Sequence, residues 1–561
     1  MNYKKLLIAL LMVGTLASCA KKLDDLLVNP NSPDPNTADV DLYLNYVQLE
    51  FKNVYNEASD RGQELTRQSV MFGPIYSNAY APNTFDGIWT NAYAELMKNA
   101  NALIGLADAK GQYIQAGIAR TLKAYVLATL VDDFGDVPYS EIDQGASNTN
   151  PTTDAGADVY AAAHQLLDSA LLDFEAPNPA AGPENDLYYD GDETKWATLV
   201  KTLQLKLYMN ERLTDASAKD KIAALISDND LIDEPDGSED FVFKYGTNIS
   251  APDTRHPHYV SNYTENGAGD YIGTHFLWAV GYEKGSRVDP RLRFYFYRQV
   301  INYDAVDDIT CACASQARPS WFPSWMPYCL PVTLPATGGY WGRDHGDNSG
   351  IPPDNQLRTA WGIYPAGGKF DADQAEAISS ISEGALGAGI NPIWLASYTD
   401  FLKAEATLAL SISGNAKTLL EDGVRASISK VINYPKSVGQ DVEALYSAYY
   451  PAQTAIDKYV NLVLADYDAA GSNDDKLNVV MKEYYIAAWG NGIEPYNNYR
   501  RTGKPDNLQL TAYSSNPGYF IRSFYYPAVF VDRNLNAPTQ KTLGIAPEKV
   551  FWDNNADDFI H

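Results

Sequence analysis

Basic residues are scarce in this chain: 43 Lys and Arg stand against 71 Asp and Glu over 561 residues, a formal charge of −28 at pH 7. Nucleic acid is bound through a Lys/Arg footprint that releases counterions, so this balance argues against a nucleic-acid partner. The same sign argues against electrostatic docking on an anionic membrane surface. Histidine is rare too, six in all, and His256-Pro257-His258 is the only close pair. The intervening proline predicts an extended loop there, and no H-E-x-x-H helix exists to build a zinc protease. Gly346-Asp347-Asn348-Ser349-Gly350 reads as a turn, and there is no G-x-S-x-G elbow for a serine nucleophile. Gly384-Ala385-Leu386-Gly387-Ala388-Gly389 lacks the dinucleotide fingerprint and reads as a linker before a helix. The acidic run from Asp228 to Asp240 does not place Asp, Gly and Glu at EF-hand positions and reads as a solvated hairpin. No metal and no cofactor is expected; a structural calcium ion is not derivable from the sequence. The many carboxylates keep a hydrolase open as an alternative, because a glycosidase pair is defined by a separation of roughly 5–10 Å that sequence does not show.

Long hydrophobic runs are also missing. The one apolar stretch of note, Leu6 to Val13, is far short of the ~20 residues a membrane-spanning helix needs. Preceded by Lys4 and Lys5 and followed by Leu16-Ala17-Ser18-Cys19, it reads as a secretory signal over residues 1–18, with a lipobox that leaves Cys19 lipidated at the new N-terminus. Residues 19–40, with the Pro/Asn-rich stretch Asn29 to Thr37, read as a tether lifting the folded body off the membrane. The expected location is the outer membrane, lipid-anchored and facing the cell surface. Beyond Cys19 only Cys311, Cys313 and Cys329 are present, an odd number for an oxidising compartment. A loop-closing disulfide from Cys311 or Cys313 to Cys329 is the favoured arrangement. The tight C-x-C spacing without a nearby His does not suit zinc.

What the chain has in plenty is ring-bearing residues: 40 Tyr, 18 Phe and 10 Trp. Apolar residues make up 45% and charged ones 20%, which marks a folded protein with a polar, largely uncharged surface. Ile114, Ile118, Leu122 and Val126 step by four, and Trp196, Leu199, Leu203 and Leu207 by three and four, so each set makes one helical stripe. Further helices are predicted near 88–108, 156–174 and 217–227. A second helical block follows Asn391-Pro392, where Leu395, Tyr398, Leu402, Ala406 and Ala409 share a face, and continues near 416–432, 441–466 and 473–489. Alanines on these stripes allow the close approach of stacked helical hairpins, although no repeat recurs at a fixed period.

Between the blocks, residues 240–390 lose helical period and fill with Pro, Gly, Asn and aromatics. A structureless loop of ~150 residues is implausible, so short strands and turns packed on the helical scaffold are predicted. Scaffold-borne loops are where binding concentrates. Here stand Trp321-Phe322-Pro323-Ser324-Trp325-Met326-Pro327-Tyr328 and Tyr340-Trp341. Exposed flat rings stack on the C–H faces of sugars while Asn, Asp and Arg bond the hydroxyls. Trp321, Phe322, Trp325, Tyr328, Tyr340 and Trp341 are therefore the candidate ligand-binding residues. A disulfide bracketing Trp321 to Tyr328 would lower the entropy cost of binding. Peptides could use the same rings, and so could a private mini-core of the loop. Trp89 reads as a core anchor, with the far wall of the site as its alternative.

Several segments together resemble one family. They are the lipobox at Cys19, Trp89-Thr90-Asn91-Ala92-Tyr93 with Asn99-Ala100-Asn101, and Val131-Asp132-Asp133-Phe134-Gly135-Asp136-Val137-Pro138-Tyr139-Ser140. Phe401-Leu402-Lys403-Ala404-Glu405-Ala406, Glu494-Pro495-Tyr496-Asn497-Asn498-Tyr499-Arg500-Arg501-Thr502-Gly503 and Arg522-Ser523-Phe524-Tyr525-Tyr526-Pro527 complete the set. In that order they resemble the SusD/RagB family of outer-membrane lipoproteins, SusD-like subgroup. The resemblance implies a mainly α fold of tetratricopeptide-like helix pairs with an irregular, short-stranded ligand-facing region. It divides the chain into a helical half (41–239), that irregular region (240–390), a second helical half (391–500) and a C-terminal segment (501–561), all in one domain. It also implies a non-catalytic role: a lid on a SusC-like TonB-dependent barrel that captures oligosaccharides, or peptides, and hands them over. The motifs themselves read as scaffold; in Val131 to Ser140, Gly135 and Pro138 end a helix and turn the chain. The cysteine-bracketed, Trp-rich stretch 311–341 departs from the family pattern and is expected to set specificity.

Overall fold

The structure, a computed structural model, describes residues 39–177, 179–285, 289–301, 317–329, 338–349 and 356–561. Cys19, the signal and most of the tether, and Cys311 and Cys313, lie outside the described residues. The chain opens with α1 (Val40–Leu65), capped by the Asp39 side chain on the Asp41 amide at 2.9 Å. The predicted helix near 88–108 is a continuous run of α2 (Asp86–Thr90), a π-helical segment (Asn91–Met97) and α3 (Lys98–Lys110). Then come α4 (Tyr113–Phe134), α5 (Gly156–Phe174), α6 (Glu193–Glu211) and α7 (Ala218–Asp228). α4 packs against α1, α3 and α5. It is apolar on nearly every face because it is buried on nearly every face, from Ile114 to Phe134. Its end is set by Gly135, whose φ of 76° is open to glycine at little cost.

The middle of the chain is short elements, as predicted: β1 (Phe241–Lys244), α8 (Pro257–Asn262), α9 (Thr274–Gly281), α10 (Leu292–Tyr295), β2 (Phe296–Tyr297), β3 (Ala360–Trp361) and β4 (Ile390–Trp394). β1 pairs with β4 and β2 with β3, both antiparallel. The glycine-rich stretch 384–389 thus leads into a strand before the next helix, with Gly384 and Gly387 at positive φ. His256-Pro257-His258 is not an extended loop either. Proline occupies the first turn of α8, where no amide hydrogen is needed, and His256 caps it by accepting the His258 amide at 3.2 Å.

The second helical block is α11 (Ala396–Leu410), α12 (Ala416–Ser437), α13 (Val442–Leu445), α14 (Gln453–Ala469), α15 (Asn473–Ala487) and α16 (Ile493–Thr502), followed by a short α17 (Ala528–Val531). The predicted single helix at 441–466 is two helices separated by turns over 446–452, a stretch that contains Pro451. α11 packs on α12 and α15 as antiparallel hairpins do, and Gly423 lets α12 approach the Phe401 ring.

The segments shared with the family meet in the core, although hundreds of residues separate them in sequence. Glu405 on α11 takes a bidentate pair from Arg501 on α16 (2.8 and 2.6 Å) and a third bond from Arg212 after α6 (2.7 Å). Burial would raise the Glu405 carboxyl, but the two guanidinium groups hold it down at about 2. Asp132 at the end of α4 accepts from Tyr160, Asn497 (2.7 Å) and the Trp552 indole (2.8 Å). Arg500 bonds the carbonyls of Asp132 and Arg522 at 2.6 and 2.7 Å. Apart from the half-buried Arg212 each partner is buried, so removing one would strand its mates without water. Trp89 packs against Phe530 and Tyr93 (4.6 Å each) and Phe134 (5.6 Å), the core position.

A stack of rings joins the middle region to the second helical block. His258 lies flat on Trp361 (3.9 Å, 7°), which lies on Trp489 (3.9 Å, 23°), and Trp489 on Phe276 (5.0 Å). The His258 ring is gripped at both nitrogens, by Asp270 at 2.8 Å and by Asp60 of α1 at 3.2 Å. Burial opposes charge on the imidazole, yet the bonds to Asp270 and Asp60 outweigh it and raise the ring to about 10.

Candidate functional site

The loop 317–329 is a rigid pedestal for two rings. Two successive turns, closed by Phe322 N–H to Pro319 and Met326 N–H to Pro323 (3.1 Å each), shape it. Arg318 donates into its hollow, to the carbonyls of Pro323 (2.9 Å), Ser324 (3.3 Å) and Met326 (2.5 Å). Phe322 and Met326 point inward and are buried. From the scaffold side, the Gln509 amide donates to the Pro327 carbonyl and to Asp344 (2.7 Å each), and the Leu510 amide meets the Met326 sulfur at 3.3 Å. Asp344 receives the Cys329 amide at 3.1 Å, and burial lifts its carboxyl to about 6 against the pull of these donors. Cys329 is disulfide-bonded; its two candidate partners lie outside the described residues.

This anchoring leaves Trp321 39% and Trp325 52% exposed. Trp321 is steered by its indole N–H toward the Thr511 carbonyl at 3.5 Å. Trp325 stands 6.4 Å from the half-buried Trp278 of α9. The Lys482 ammonium lies 5.6 Å from the Trp278 ring and lines a cleft of about 270 Å³ with Glu283, Asn478 and Asn507. These polar groups are already oriented by one another: Lys482 bonds Asn507 at 2.5 Å and Glu283 at 3.0 Å, and Asn507 bonds Glu283 at 2.6 Å. Burial lowers the Lys482 ammonium below its usual range. Flat rings beside preorganised donors and acceptors can hold a polyhydroxylated ring by stacking and hydrogen bonding at once.

The six candidate residues separate into three groups. Trp321 and Trp325 face solvent, and Tyr328 is half-buried with its ring edge-on to Phe322 at 5.7 Å. Phe322 is a buried anchor of the loop. Tyr340 and Trp341 are buried at 3% exposure each, outside reach of a stacking sugar. Tyr340 donates to Asp371 at 2.5 Å beneath the Arg298 guanidinium, and the Trp341 amide bonds Thr359 at 2.7 Å. Trp278, Lys482 and Asn507 were not singled out from the sequence, where Trp278 lies in the stretch read as irregular and the other two in or beside an ordinary helical segment.

Among the described residues no group of His, Cys, Asp or Glu is placed to hold a metal ion. Residues 31–305 match the family described as "Starch-binding associating with outer membrane", and residues 364–536 match "Susd and RagB outer membrane lipoprotein". The chain belongs to the SusD/RagB family, whose members are binding proteins rather than enzymes. Similar solved structures include a SusD homolog from Bacteroides fragilis, at 16% identity, covering 93% of this chain and 100% of that one with a TM-score of 0.62. A SusD/RagB family protein from Bacteroides thetaiotaomicron is 19% identical over 93% and 100%, TM-score 0.62. A chitin-binding protein is 20% identical over 92% and 100%, TM-score 0.64. At these identities the likeness is one of fold. No curated protein matches the chain. No helix of the described residues is long and apolar enough to cross a membrane.

Proposed function

We propose that this protein captures oligosaccharides at the cell surface, anchored through lipid on Cys19, and delivers them as a lid to a SusC-like TonB-dependent barrel without cleaving them. Trp321 and Trp325 provide the stacking surface, Trp278 extends it, and Lys482, Asn507 and Glu283 bond the hydroxyls. The observation that carries this reading is the pair of solvent-facing tryptophans on a loop braced from within by Arg318 and held to the scaffold at Met326 and Pro327. The two rings stand together on one loop, and clustered exposed apolar surface marks interaction sites where scattered single residues do not. Their rigid loop lowers the ordering cost of binding. Membership of a family of outer-membrane nutrient-binding lipoproteins supports the location and the barrel partner.

The test is calorimetry and affinity electrophoresis of the soluble chain lacking Cys19 against a panel of polysaccharides and a peptide mixture. Binding of one glycan class with no loss of substrate mass is expected. Binding of peptides alone, or turnover of the glycan, would overturn it.

A further inference from the structure

A second cleft, on the helical side of the molecule, carries an unpaired acid. It lies between α11, α12 and the segment 233–235, with a volume of about 690 Å³. Its floor holds Asp400, 8% exposed, and its walls hold Asp233, Glu234, Asp422, Lys403 and Arg425. The two cations are committed elsewhere: Lys403 bonds Asp233, and Arg425 is held by Glu421 and Asp457 at 2.9 Å each. Among the described residues the Asp400 carboxyl makes no hydrogen bond and no ion pair, although Lys403 attracts it from a distance. The residue is largely buried in helix α11 while its carboxyl lines the cleft without a protein partner among the described residues, which leaves it for a group that enters from solvent. Burial, with Asp422 and Asp233 adding to it, pushes this carboxyl up to about 8 even though Lys403 pulls the other way.

The carboxylates are not grouped to share one metal ion. A cation that carries its charge on a larger body suits the cleft better. Ala426 and Ser429, one and two turns beyond Asp422 on the same face of α12, are small and leave room for a ring against the helix.

We propose that this cleft binds the ammonium group of an amino sugar, with Asp400 as the buried counter-charge, Asp422 as the outer one, and the sugar ring seated against Ala426 and Ser429. The saccharide half of this assignment rests on the capture function above; the ammonium half rests on the cleft alone. A cation in the cleft would draw the proton off Asp400, so binding releases a proton to buffer.

The probe is the glucosamine trisaccharide, compared with its fully N-acetylated counterpart, titrated into the soluble chain at pH 5.5, where the amines are charged. A preference of about tenfold for the charged trisaccharide corresponds to one charge-assisted hydrogen bond, about 1.4 kcal/mol. The Asp400→Asn and Asp422→Asn variants should each abolish that preference while an exposed control, Glu184→Gln, keeps it. Titrations in buffers of different ionisation enthalpy should show proton release in the parent and none in Asp400→Asn. Loss of the preference in a Trp321→Ala/Trp325→Ala variant but not in the aspartate variants would overturn the cleft and assign the amine to the aromatic loop. No preference in the parent, or equal binding of trilysine, would overturn the assignment as well. If the aromatic-loop variant keeps both its neutral glycans and the preference, the cleft stands and the capture site falls.

Discussion

Neutralising His258 tests the ring stack and its carboxylate clamp as a load on stability. Raising an imidazole from its usual 6.5 to about 10 corresponds to a ceiling of ~5 kcal/mol at about 1.4 kcal/mol per unit. The Asp60 side chain is 39% exposed, so solvent screens that half of the clamp. The Asp270 half, closed further by Ser261 at 2.5 Å and Asn262 at 2.7 Å, carries most of the effect, and ~2–3 kcal/mol is the expected cost of His258→Gln near pH 6. The sign follows from linkage. The folded state holds this proton more tightly than the unfolded one, so the contribution is full below about 6.5 and is lost as pH rises toward 10. With ~2.1 cal/mol/K of unfolding entropy per residue over about 520 folded residues, 2–3 kcal/mol moves Tm by about 2–3 °C. Thermal unfolding of parent and variant from pH 6 to 10 should show that gap at pH 6 closing to under ~1 °C at pH 10. A gap that stays constant, or widens with pH, would refute the clamp.

The other buried groups lead to outcomes of their own. Below about pH 6.5 the unfolded chain takes up protons that His256, His275 and His345 refuse in the fold, where burial holds all three well below their usual range. Stability should therefore fall on acidification, by up to ~1.4 kcal/mol per pH unit for each ring, and a His275→Phe/His345→Phe variant should flatten that slope in urea titrations between pH 6.5 and 5. Glu405→Ala leaves Arg212 and Arg501 buried without their counter-charge and should cost ~3–5 kcal/mol by chemical denaturation; a loss under ~1 kcal/mol would contradict the triad. Gly62→Ala would drive a methyl to 2.2 Å from the Gly492 carbonyl oxygen, where α1 crosses the entry to α16, so soluble yield should collapse; normal yield and Tm would show that the crossing can open.

Much of the scaffold was legible because helices announce themselves by period: Trp196 to Leu207 and Leu395 to Ala406 land on the buried faces of α6 and α11. Breaks set by proline were less so. Pro435 is carried inside α12, Pro257 starts α8 and Pro451 lies in the gap between α13 and α14, so the residue type alone does not tell them apart. The site was legible in kind but not in membership. An aromatic in an irregular segment is exposed or buried according to what long-range partner meets it. Tyr340 finds Asp371 and Arg298, whereas Trp325 finds only the edge of Trp278. Trp278 lies in the stretch read as irregular, where the structure forms the short helix α9, and its ring stands half-buried 6.4 Å from that of Trp325. The convergence of Glu405, Arg501 and Asn497 on shared partners was likewise invisible, since sequence shows the motifs and not their meeting.

The account turns on whether Trp321 and Trp325 hold a ligand. Glycan affinity of the parent should be compared with Trp321→Ala, Trp325→Ala and the double variant, with Tm recorded for each. Because both rings face solvent, Tm should move by less than ~1 °C, while each truncation should weaken binding about tenfold and the double variant should lose it. Unchanged affinity in a folded double variant would contradict the aromatic loop as the capture site.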